Sequence, residues 1–436
     1  MKKKLVGILI CTLLILTTIS ISARPINPII SKENDSIANP GDDDVWMKTF
    51  GGRNFDLGTY ATETSDGGYI VVGFTASFGE GSDDIWLIKT DYKGEMEWEK
   101  FYGGKGSDQG ADVKQTSDGG YIITGSTGSN AVGKQDVWLI KTDENGEMLW
   151  DRTFGGVEWD HGNGIEETSD GGYIIIGDYG HTGGPRGDIW LIKTDRNGYK
   201  EWDKKFGGKG HNGGASIDFT SDGGYIIVGS SYVPGETNSY DVWLIKTDEN
   251  GEMLWDKKFE GDNSDSGCDV QETTDGGFII VGTTGYSHPY SNIWLLKTDC
   301  NGEITWDRVI KGFADDQRGV DVRQTVDGGF IILCETLFDN IFGFNPLIIK
   351  TDNEGNQEWF HIIMDFGNDC LFSVEQTNDE GFIFTGYKHS GLKHDLWIIK
   401  ADSDGSFPTC YNKARTGYNG FYLFQYLFRI MQRILR

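Results

Sequence analysis

The segment DVWLIKTDENGEMLWD stands at Asp136–Asp151 and is repeated, residue for residue, at Asp241–Asp256. It belongs to a longer unit that contains T-S-D-G-G-Y-I-I-x-G before it and K-x-F-G-G after it. The aspartate of a D-G-G or D-E-G turn marks every copy, at Asp66, Asp118, Asp170, Asp222, Asp275, Asp327 and Asp379. Successive positions lie 52 or 53 residues apart. Seven copies at a fixed period indicate a repeat architecture.

Each copy predicts four short antiparallel strands. In the second copy they span Ala111–Thr116, Tyr121–Gly125, Val137–Lys141 and Glu147–Phe154. The glycines between them supply the positive backbone angles that tight hairpin turns require. The unbroken V-W-L-I run indicates a third strand that is buried on both faces. Four antiparallel strands in about 50 residues are typical of a β-propeller blade.

Tryptophans in the fourth strand predict how the ring closes. They stand at Trp98, Trp150, Trp202, Trp255, Trp306 and Trp359. The last copy has no such tryptophan, but Trp46 lies 52 residues before Trp98, in a strand that precedes the first copy. We therefore expect this N-terminal strand to complete the seventh blade, which removes the exposed sheet edges. The sequence predicts an all-β, seven-bladed β-propeller of four-stranded antiparallel blades.

The motif W-L-I-K-T-D-x-x-G-x-x-x-W resembles the blade of quinoprotein-type (PQQ-like) propellers. The whole repeat is similar to the propeller repeats of secreted bacterial and archaeal proteins. This resemblance spans about residues 45–405 and implies the fold. Quinoprotein dehydrogenases typically have eight blades and a vicinal cysteine pair beside the cofactor, whereas this chain has seven copies and no adjacent cysteines. No cofactor residue can therefore be carried over from that family.

The N-terminus predicts export. Three lysines at 2–4 precede an apolar stretch at Leu5–Ser22, so residues 1–23 read as a signal peptide. An uncleaved membrane anchor is the alternative, because a stretch of 18 residues is near the lower limit for a membrane span. Residues 24–44 read as a flexible lead-in, residues 45–405 as the propeller and residues 406–420 as a linker. We expect an extracellular or cell-surface protein.

The C-terminus has a different character. Residues 421–436, FYLFQYLFRIMQRILR, predict a basic amphipathic helix with Gln425, Arg429, Gln432 and Arg436 on one stripe. Such a helix suits contact with a membrane interface or the cell envelope. The alternative is a helix that packs against the base of the propeller.

Composition excludes some functions. The net charge of −28 argues against a nucleic-acid partner, which requires a basic face. The seven histidines show no metal-ligand spacing, and the sequence has no nucleophile elbow, phosphate loop or haem motif. A glycoside hydrolase or lyase would need paired acids. Glu80, Glu236, Glu335 and Asp339 are candidates, but no pair stands out.

The loops between the second and third strands differ among copies, whereas the turns are nearly uniform. Variation on one face of a regular scaffold predicts a recognition surface. Aromatic residues concentrate there in the fourth to sixth copies, at Tyr232, Tyr240, Tyr286, Tyr290, Phe338, Phe342 and Phe344. They predict a site for a glycan or a protein. The alternative is that these rings simply cover neighbouring blades.

Two sets of acidic residues recur on the same face. One begins the first strand, at Asp56, Asp108, Asp160, Asp265 and Asp369. The other begins the third strand, at Asp84, Asp136, Asp188, Asp241 and Asp395. Carboxylates around a channel could hold calcium. Recurrence in most copies instead favours hydrogen bonds to local backbone N–H groups. We therefore expect no cofactor, with calcium as the alternative.

The sequence as a whole predicts an exported binding or adhesion module. Its ligand would be a glycan or a protein on the variable-loop face. A carbohydrate-active enzyme and a purely structural envelope component are the alternatives.

Overall fold

The computed structural model describes residues 45–407 except 182–183, 208–211, 233–239, 262–263, 286–290, 312–315, 338–342 and 364–366. The predicted signal peptide, the lead-in, most of the linker and the C-terminal helix lie outside these residues. The described part of the chain forms seven four-stranded antiparallel sheets and contains no helix. Accordingly, it offers no helical segment that could span a membrane.

Every sheet is one blade, and its strands are numbered here along the chain. The innermost strands are β2 (Asp56–Glu63), β6 (Asp108–Gln115), β10 (His161–Glu167), β14 (Gly213–Phe219), β18 (Ser266–Glu272), β22 (Asp316–Gln324) and β26 (Cys370–Gln376). The second strands are β3 (Tyr69–Thr75), β7 (Tyr121–Thr127), β11 (Tyr173–His181), β15 (Tyr225–Tyr232), β19 (Phe278–Thr284), β23 (Phe330–Leu337) and β27 (Phe382–Ser390). The third strands are β4 (Asp84–Thr90), β8 (Asp136–Thr142), β12 (Gly184–Thr194), β16 (Tyr240–Thr247), β20 (Asn292–Thr298), β24 (Phe344–Thr351) and β28 (Lys393–Ala401). The outermost strands are β5 (Met96–Tyr102), β9 (Met148–Phe154), β13 (Lys200–Phe206), β17 (Met253–Phe259), β21 (Ile304–Ile310), β25 (Gln357–Ile362) and β1 (Trp46–Phe50).

The seventh blade joins the two ends of the ring. Its strand order is β1-β28-β27-β26, and β1 pairs antiparallel with β28 from Trp46 opposite Lys400 to Phe50 opposite Leu396. The Trp46 ring packs edge-on against Tyr69 of the first blade, with ring centroids 5.5 Å apart. The same contact joins Trp98 of the first blade to Tyr121 of the second, at 5.9 Å. The predicted closure of the ring by the N-terminal strand is confirmed.

The hydrophobic core lies between neighbouring blades. One cluster combines Val72 and Leu87 of the first blade with Ile123 and Trp138 of the second. The V-W-L-I run is fully buried in the second blade, as its lack of alternation predicts. Burial of one such side chain contributes about 1.5–3 kcal/mol. Because each blade covers one face of the next, no blade buries its own apolar residues alone.

The lysine and the turn aspartate that recur in every copy form one contact. In the fourth blade the Lys246 ammonium donates to Asp222 Oδ1 (2.7 Å), Thr220 Oγ1 (2.8 Å) and the Thr247 carbonyl (3.1 Å). The equivalent pairs are Lys89–Asp66, Lys141–Asp118, Lys193–Asp170, Lys297–Asp275, Lys350–Asp327 and Lys400–Asp379. The lysine side chain is buried in all seven blades. This contact ties the first hairpin of each blade to its third strand.

The two glycines of the turn have different roles. Gly223 has φ of +92° and open space where a side chain would stand. In the seventh blade Glu380 takes this place with φ of 67°, so the position tolerates a side chain at a cost in backbone strain. Gly224 has no such freedom, because an added Cβ would lie 2.0 Å from the Thr247 carbonyl oxygen. The second glycine therefore makes room for the lysine contact.

Candidate functional site

The structure describes three of the seven predicted ligand-binding aromatics. Tyr232 and Tyr240 are cross-strand partners at the loop ends of β15 and β16, and their ring centroids are 5.9 Å apart. Both are half-buried. Phe344 begins β24 in the sixth blade, and the Arg318 guanidinium lies 5.4 Å from its ring centroid. Tyr286, Tyr290, Phe338 and Phe342 lie outside the described residues, so the aromatic site stays a prediction.

The aspartates that begin the innermost strands are buried and hydrogen-bonded locally. Asp56 accepts from the Gly52 N–H and the Ser77 hydroxyl, both at 2.7 Å. Asp160 accepts from the N–H groups of Gly156 and Gly180, both at 2.8 Å. The exposed fraction is 0–1% for Asp56, Asp108, Asp160, Asp265 and Asp369. The described residues contain no group of three His, Cys, Asp or Glu side chains placed to hold a metal ion. These contacts agree with the backbone-bonding alternative, and calcium binding stays an untested prediction.

The two sets of aspartates meet where one blade passes to the next. A Cβ on Gly155 would lie 2.2 Å from Asp136 Oδ1 and 2.7 Å from Asp160 Oδ2. Burial raises the pKa of Asp136, and the neighbouring Asp160 carboxylate raises it further. The first glycine of the F-G-G motif is thus required because two carboxylates occupy the space of its side chain.

Two of the four candidate acids for catalysis, Glu80 and Glu335, lie among the described residues, in the first and the sixth blade. Glu80 is exposed in a loop of the first blade. Glu335 lies on β23 of the sixth blade, where burial raises its pKa and the Cys370 thiol hydrogen-bonds to it. Glu236 and Asp339 lie outside the described residues. Cys268, Cys300, Cys334 and Cys370 are free thiols.

A cavity of about 410 Å³ lies at the centre of the ring and is lined by the innermost strands of all seven blades. We call it the central cavity. Every innermost strand carries a β-bulge at the same place, such as the register shift between Gly110 and Asp112 in the second blade. A bulge inserts one extra residue and re-aims the side chains beside it. The extra residue, Ala111 in this blade, lines the cavity together with Asp112 and Lys114.

The lining residues differ from blade to blade. The bulge positions are Thr59, Ala111, Asn163, Ala215, Cys268, Val320 and Phe372. The residues that follow them are Tyr60, Asp112, Gly164, Ser216, Asp269, Asp321 and Ser373. Two residues further along are Thr62, Lys114, Glu166, Asp218, Gln271, Arg323 and Glu375. This last set lies one residue before each strand ends, next to the S-D-G-G turns. The charged part of the central cavity is therefore at the end away from the variable loops.

Lys114 is the centre of one charged network. Its ammonium lies 3.0 Å from Glu166, 3.9 Å from Asp112 and 2.9 Å from the Tyr60 hydroxyl. The Tyr60 hydroxyl donates in turn to Glu375 Oε1 at 2.5 Å. The carboxylates raise the pKa of Lys114 well above its usual range, although burial opposes this. Burial raises the pKa of Asp112 to about 6.

Arg323 is the centre of a second network. Its guanidinium donates to Glu375 at 2.8 Å and contacts Asp321 at 2.7 Å and Asp269 at 2.5 Å. Burial raises the pKa of Asp321 well above its usual range, and the Asp269 carboxylate raises it further. The raised pKa favours the protonated form of Asp321 beside the Asp269 carboxylate. Glu375 connects this network to the one around Lys114.

Asp218 lies between the two networks without a cation of its own. Among the described residues it forms no ion pair within 4 Å, and its carboxylate accepts from the N–H groups of Phe219 (2.8 Å) and Glu272 (2.9 Å). Burial raises its pKa to about 6, and Glu166 adds to the rise. The neutral side chains of Ser216 and Gln271 line the cavity beside it.

Sequence reasoning missed the central cavity. A signal was present, because alignment of the seven copies shows charged residues at Lys114, Glu166, Asp218, Arg323 and Glu375, at one position of an otherwise uniform repeat. A second signal lies two residues earlier in each copy, where the residue type differs, as at Tyr60, Asp112 and Asp269. Both positions vary although they lie outside the loops.

No protein-family model matches the chain. The regulatory protein FlaEY of Caulobacter vibrioides is 27% identical over an alignment of 197 positions that covers 40% of this chain and 20% of that protein. The chain thus matches about a fifth of the length of this curated relative.

Among solved structures, a protein of unknown function from Dyadobacter fermentans gives a TM-score of 0.47 at 10% identity, over 82% of this chain and 99% of that chain. The β-propeller domain of the trilobed protease from Pyrococcus furiosus gives a TM-score of 0.46 at 10% identity, over 80% of this chain and 95% of that chain. Since both scores are below 0.5, the fold assignment rests on the strand pairing itself. That pairing describes a closed seven-bladed β-propeller.

Proposed function

We propose that the chain is an exported β-propeller that binds a glycan or a protein on the face formed by its variable loops. One observation supports this more than any other. The residues that all seven copies share serve internal contacts, such as Lys246 with Asp222 and Trp46 with Tyr69. The residues that differ among the blades lie in the loops and in the wall of the central cavity. A rigid scaffold with variable loops is the usual arrangement for recognition.

Tyr232 and Tyr240 are the best-described part of this surface. A tyrosine offers a flat apolar face and a hydroxyl that donates or accepts a hydrogen bond. Two such rings, half-buried and 5.9 Å apart, suit the apolar face and the hydroxyl groups of a sugar, or an aromatic contact with a protein. The predicted partners Tyr286 and Tyr290 come from the loop of the next copy. The PQQ-like resemblance supports the blade only, and no quinone cofactor is proposed.

Export and attachment are further parts of the proposal. Residues 1–23 would direct secretion, and residues 421–436 would hold the protein at the membrane or envelope through apolar and basic side chains. Cell fractionation of the full chain and of a chain without 421–436 tests both parts. The full chain should occur in the envelope fraction and the shortened chain in the medium. Retention of both chains in the cytoplasm would contradict export.

Glycan-array and protein-capture experiments with the exported chain test the binding role. We expect the double variant Tyr232→Ala/Tyr240→Ala to lose at least tenfold in affinity, and Tyr286→Ala and Tyr290→Ala to weaken binding as well. Tyr92→Ala is the matched control, because Tyr92 is 59% exposed in a turn on the opposite face. Equal losses in the control would overturn the location of the site. Release of reducing ends from a polysaccharide would instead assign a carbohydrate-active enzyme, and no ligand at all would favour a structural component.

A further inference from the structure

We propose that the central cavity is a second binding site, separate from the loop face, and that its ligand is a small organic cation with an ammonium group. The cavity combines a suitable volume, a polar wall and an excess of acceptors over free donors. Each of these properties follows from residues that differ among the blades, rather than from the residues that build the repeat.

The size and the lining fit a small molecule. The volume of about 410 Å³ falls within the range of about 300–1,000 Å³ that ligand pockets occupy. Apolar side chains, including Val320 and Phe372, line the level of the bulges. Charged and neutral polar groups line the level next to the turns. A ligand with a short carbon frame and several hydrogen-bond donors matches both levels.

The two cations of the wall are already satisfied. Lys114 contacts Glu166 at 3.0 Å and the Tyr60 hydroxyl at 2.9 Å. Arg323 is enclosed by Asp269, Asp321 and Glu375. An anionic ligand would have to displace these carboxylates before it could reach either cation. Like charges repel more strongly in such a partly buried site than in water, which disfavours an anion there.

One carboxylate of the wall has no cation partner among the described residues. Six carboxylates line the cavity against two cations, so negative charge remains even when Asp321 is protonated. Asp218 has backbone donors and no cation. An ammonium group carries three donors and no acceptor. It would meet the Asp218 carboxylate, with the Ser216 and Gln271 side chains on the neighbouring cavity wall. Gln271 Oε1 accepts from the Gln324 N–H at 2.6 Å and could accept one further hydrogen bond.

An organic cation fits this wall better than a metal ion does. Calcium takes six to eight oxygen ligands at about 2.3–2.6 Å. In the described part of the chain, no three acidic, histidine or cysteine side chains are placed to hold a metal. A charge that is spread over N–H donors can use carboxylate, hydroxyl and amide oxygens that lie further apart.

Isothermal titration calorimetry of the full chain at pH 7.5 tests the proposal with four small probes. Glucosamine and putrescine both carry an ammonium group, glucose is the neutral counterpart of the first, and glucuronate carries a negative charge. We expect glucosamine to bind at least tenfold more tightly than glucose, and glucuronate not to bind. The ratio of glucosamine to putrescine affinity distinguishes an amino-sugar ligand from an aliphatic amine. Equal affinity for glucosamine and glucose, with no tighter binding of putrescine than of either, would overturn the proposal.

Three variants locate the binding. Asp218→Asn should lower glucosamine affinity about tenfold. Glu147→Gln, which removes the same charge from an exposed pair with Lys100, should not change it. Thr62→Lys adds an ammonium group to the cavity wall and should abolish binding while thermal unfolding shows a folded protein. Equal effects of Asp218→Asn and Glu147→Gln on glucosamine affinity would mean that the acidic protein attracts the ammonium group non-specifically. That result would overturn the proposed site.

The two proposals fail independently. Tyr232→Ala/Tyr240→Ala should leave glucosamine affinity unchanged, because those rings lie at the loop end of the blades. Loss of ammonium binding in that variant would contradict a separate site in the central cavity. Conversely, absence of any glycan or protein ligand on the loop face leaves the calorimetric result unaffected.

Discussion

The indole N–H of Trp46, in the first strand of the domain, donates to the carbonyl of Tyr92 in the first blade at 3.0 Å. The ring of Trp46 also fills the space beside Gly94, where an added Cβ would lie 2.5 Å from it. Trp46 belongs to the seventh blade through β1. One side chain therefore connects the last blade to the first.

Trp46→Ala should lower the free energy of unfolding by about 3–5 kcal/mol, because it removes a buried ring from the contact that closes the propeller. Trp46→Phe keeps most of the apolar contact and loses the hydrogen bond, so about 1 kcal/mol is expected for that loss. Chemical denaturation followed by circular dichroism measures both changes. An alanine variant as stable as the phenylalanine variant would show that β1 contributes little to closure.

Lys246→Met should cost about 1–3 kcal/mol, because the Thr220 hydroxyl and the Thr247 carbonyl lose a buried donor. Lys200→Met is the matched control. Lys200 is 43% exposed and pairs with Asp203 at the surface, where an ion pair contributes less than about 1 kcal/mol. Urea denaturation of the two variants provides the comparison. Similar losses of unfolding free energy in both variants would mean that the buried lysine contact stabilises the fold no more than a surface ion pair does.

The two glycines of one turn should respond differently to substitution. Gly223→Asn keeps open space around its Cβ, and asparagine tolerates positive φ, so a loss of about 1 kcal/mol is expected. Gly224→Ala places a Cβ 2.0 Å from the Thr247 carbonyl oxygen and should cost about 3 kcal/mol or more. Thermal unfolding of both variants measures the difference. The reverse order would contradict the assignment of the close contact.

Asp218→Asn should raise stability at pH 7.5 and leave it nearly unchanged at pH 4. Burial, and then Glu166, raise the folded-state pKa of Asp218 to about 6, with Arg323 and two backbone N–H groups opposing. A raised pKa favours the protonated form, so this contribution to stability is fully present below about pH 4 and is lost as the pH rises through 6. A neutral asparagine avoids that loss, which we expect to be on the order of 3 kcal/mol. Guanidinium denaturation at the two pH values tests this, and a pH-independent difference would contradict it.

Chelation of divalent cations should leave Tm unchanged. The carboxylates of Asp56 and Asp160 accept hydrogen bonds from backbone and hydroxyl donors, which leaves little for a cation to bind. Differential scanning calorimetry in EDTA and in excess calcium compares the two conditions. A ligand that binds only the folded state raises Tm with its concentration. A calcium-dependent rise would support the predicted cation ring instead.

The fold could be predicted because its determinants repeat. The period from Asp66 to Asp379 gave the number of blades, and the phase of Trp46 gave the closure. The same regularity concealed the central cavity, because the residues that line it differ among the copies and so do not belong to the repeated pattern. Strict alternation along β2 would also place Thr59 and Tyr60 on opposite faces, whereas the bulge lets both line the cavity. A bulge of this kind depends on the neighbouring strand and has no clear signature in one copy.

The roles of recurring polar residues were only partly predictable. The lysine of each third strand could be recognised as architectural, but its partner, the turn aspartate of the same blade, lies 21–24 residues away in sequence. Asp56 could be placed at the start of a strand from its spacing. Its donors, Gly52 and Ser77, come from the preceding connection and the following loop, and only the folded blade brings them together.

Lys393 donates to the carbonyl of Gly52 across 341 positions of the chain. Contacts between such distant segments form late, because the entropy of closing a long loop must be overcome first. During synthesis, β1 therefore has no partner strand until β28 has left the ribosome. The first six blades each consist of consecutive strands, whereas the seventh is complete only when the last strand of the domain has been made.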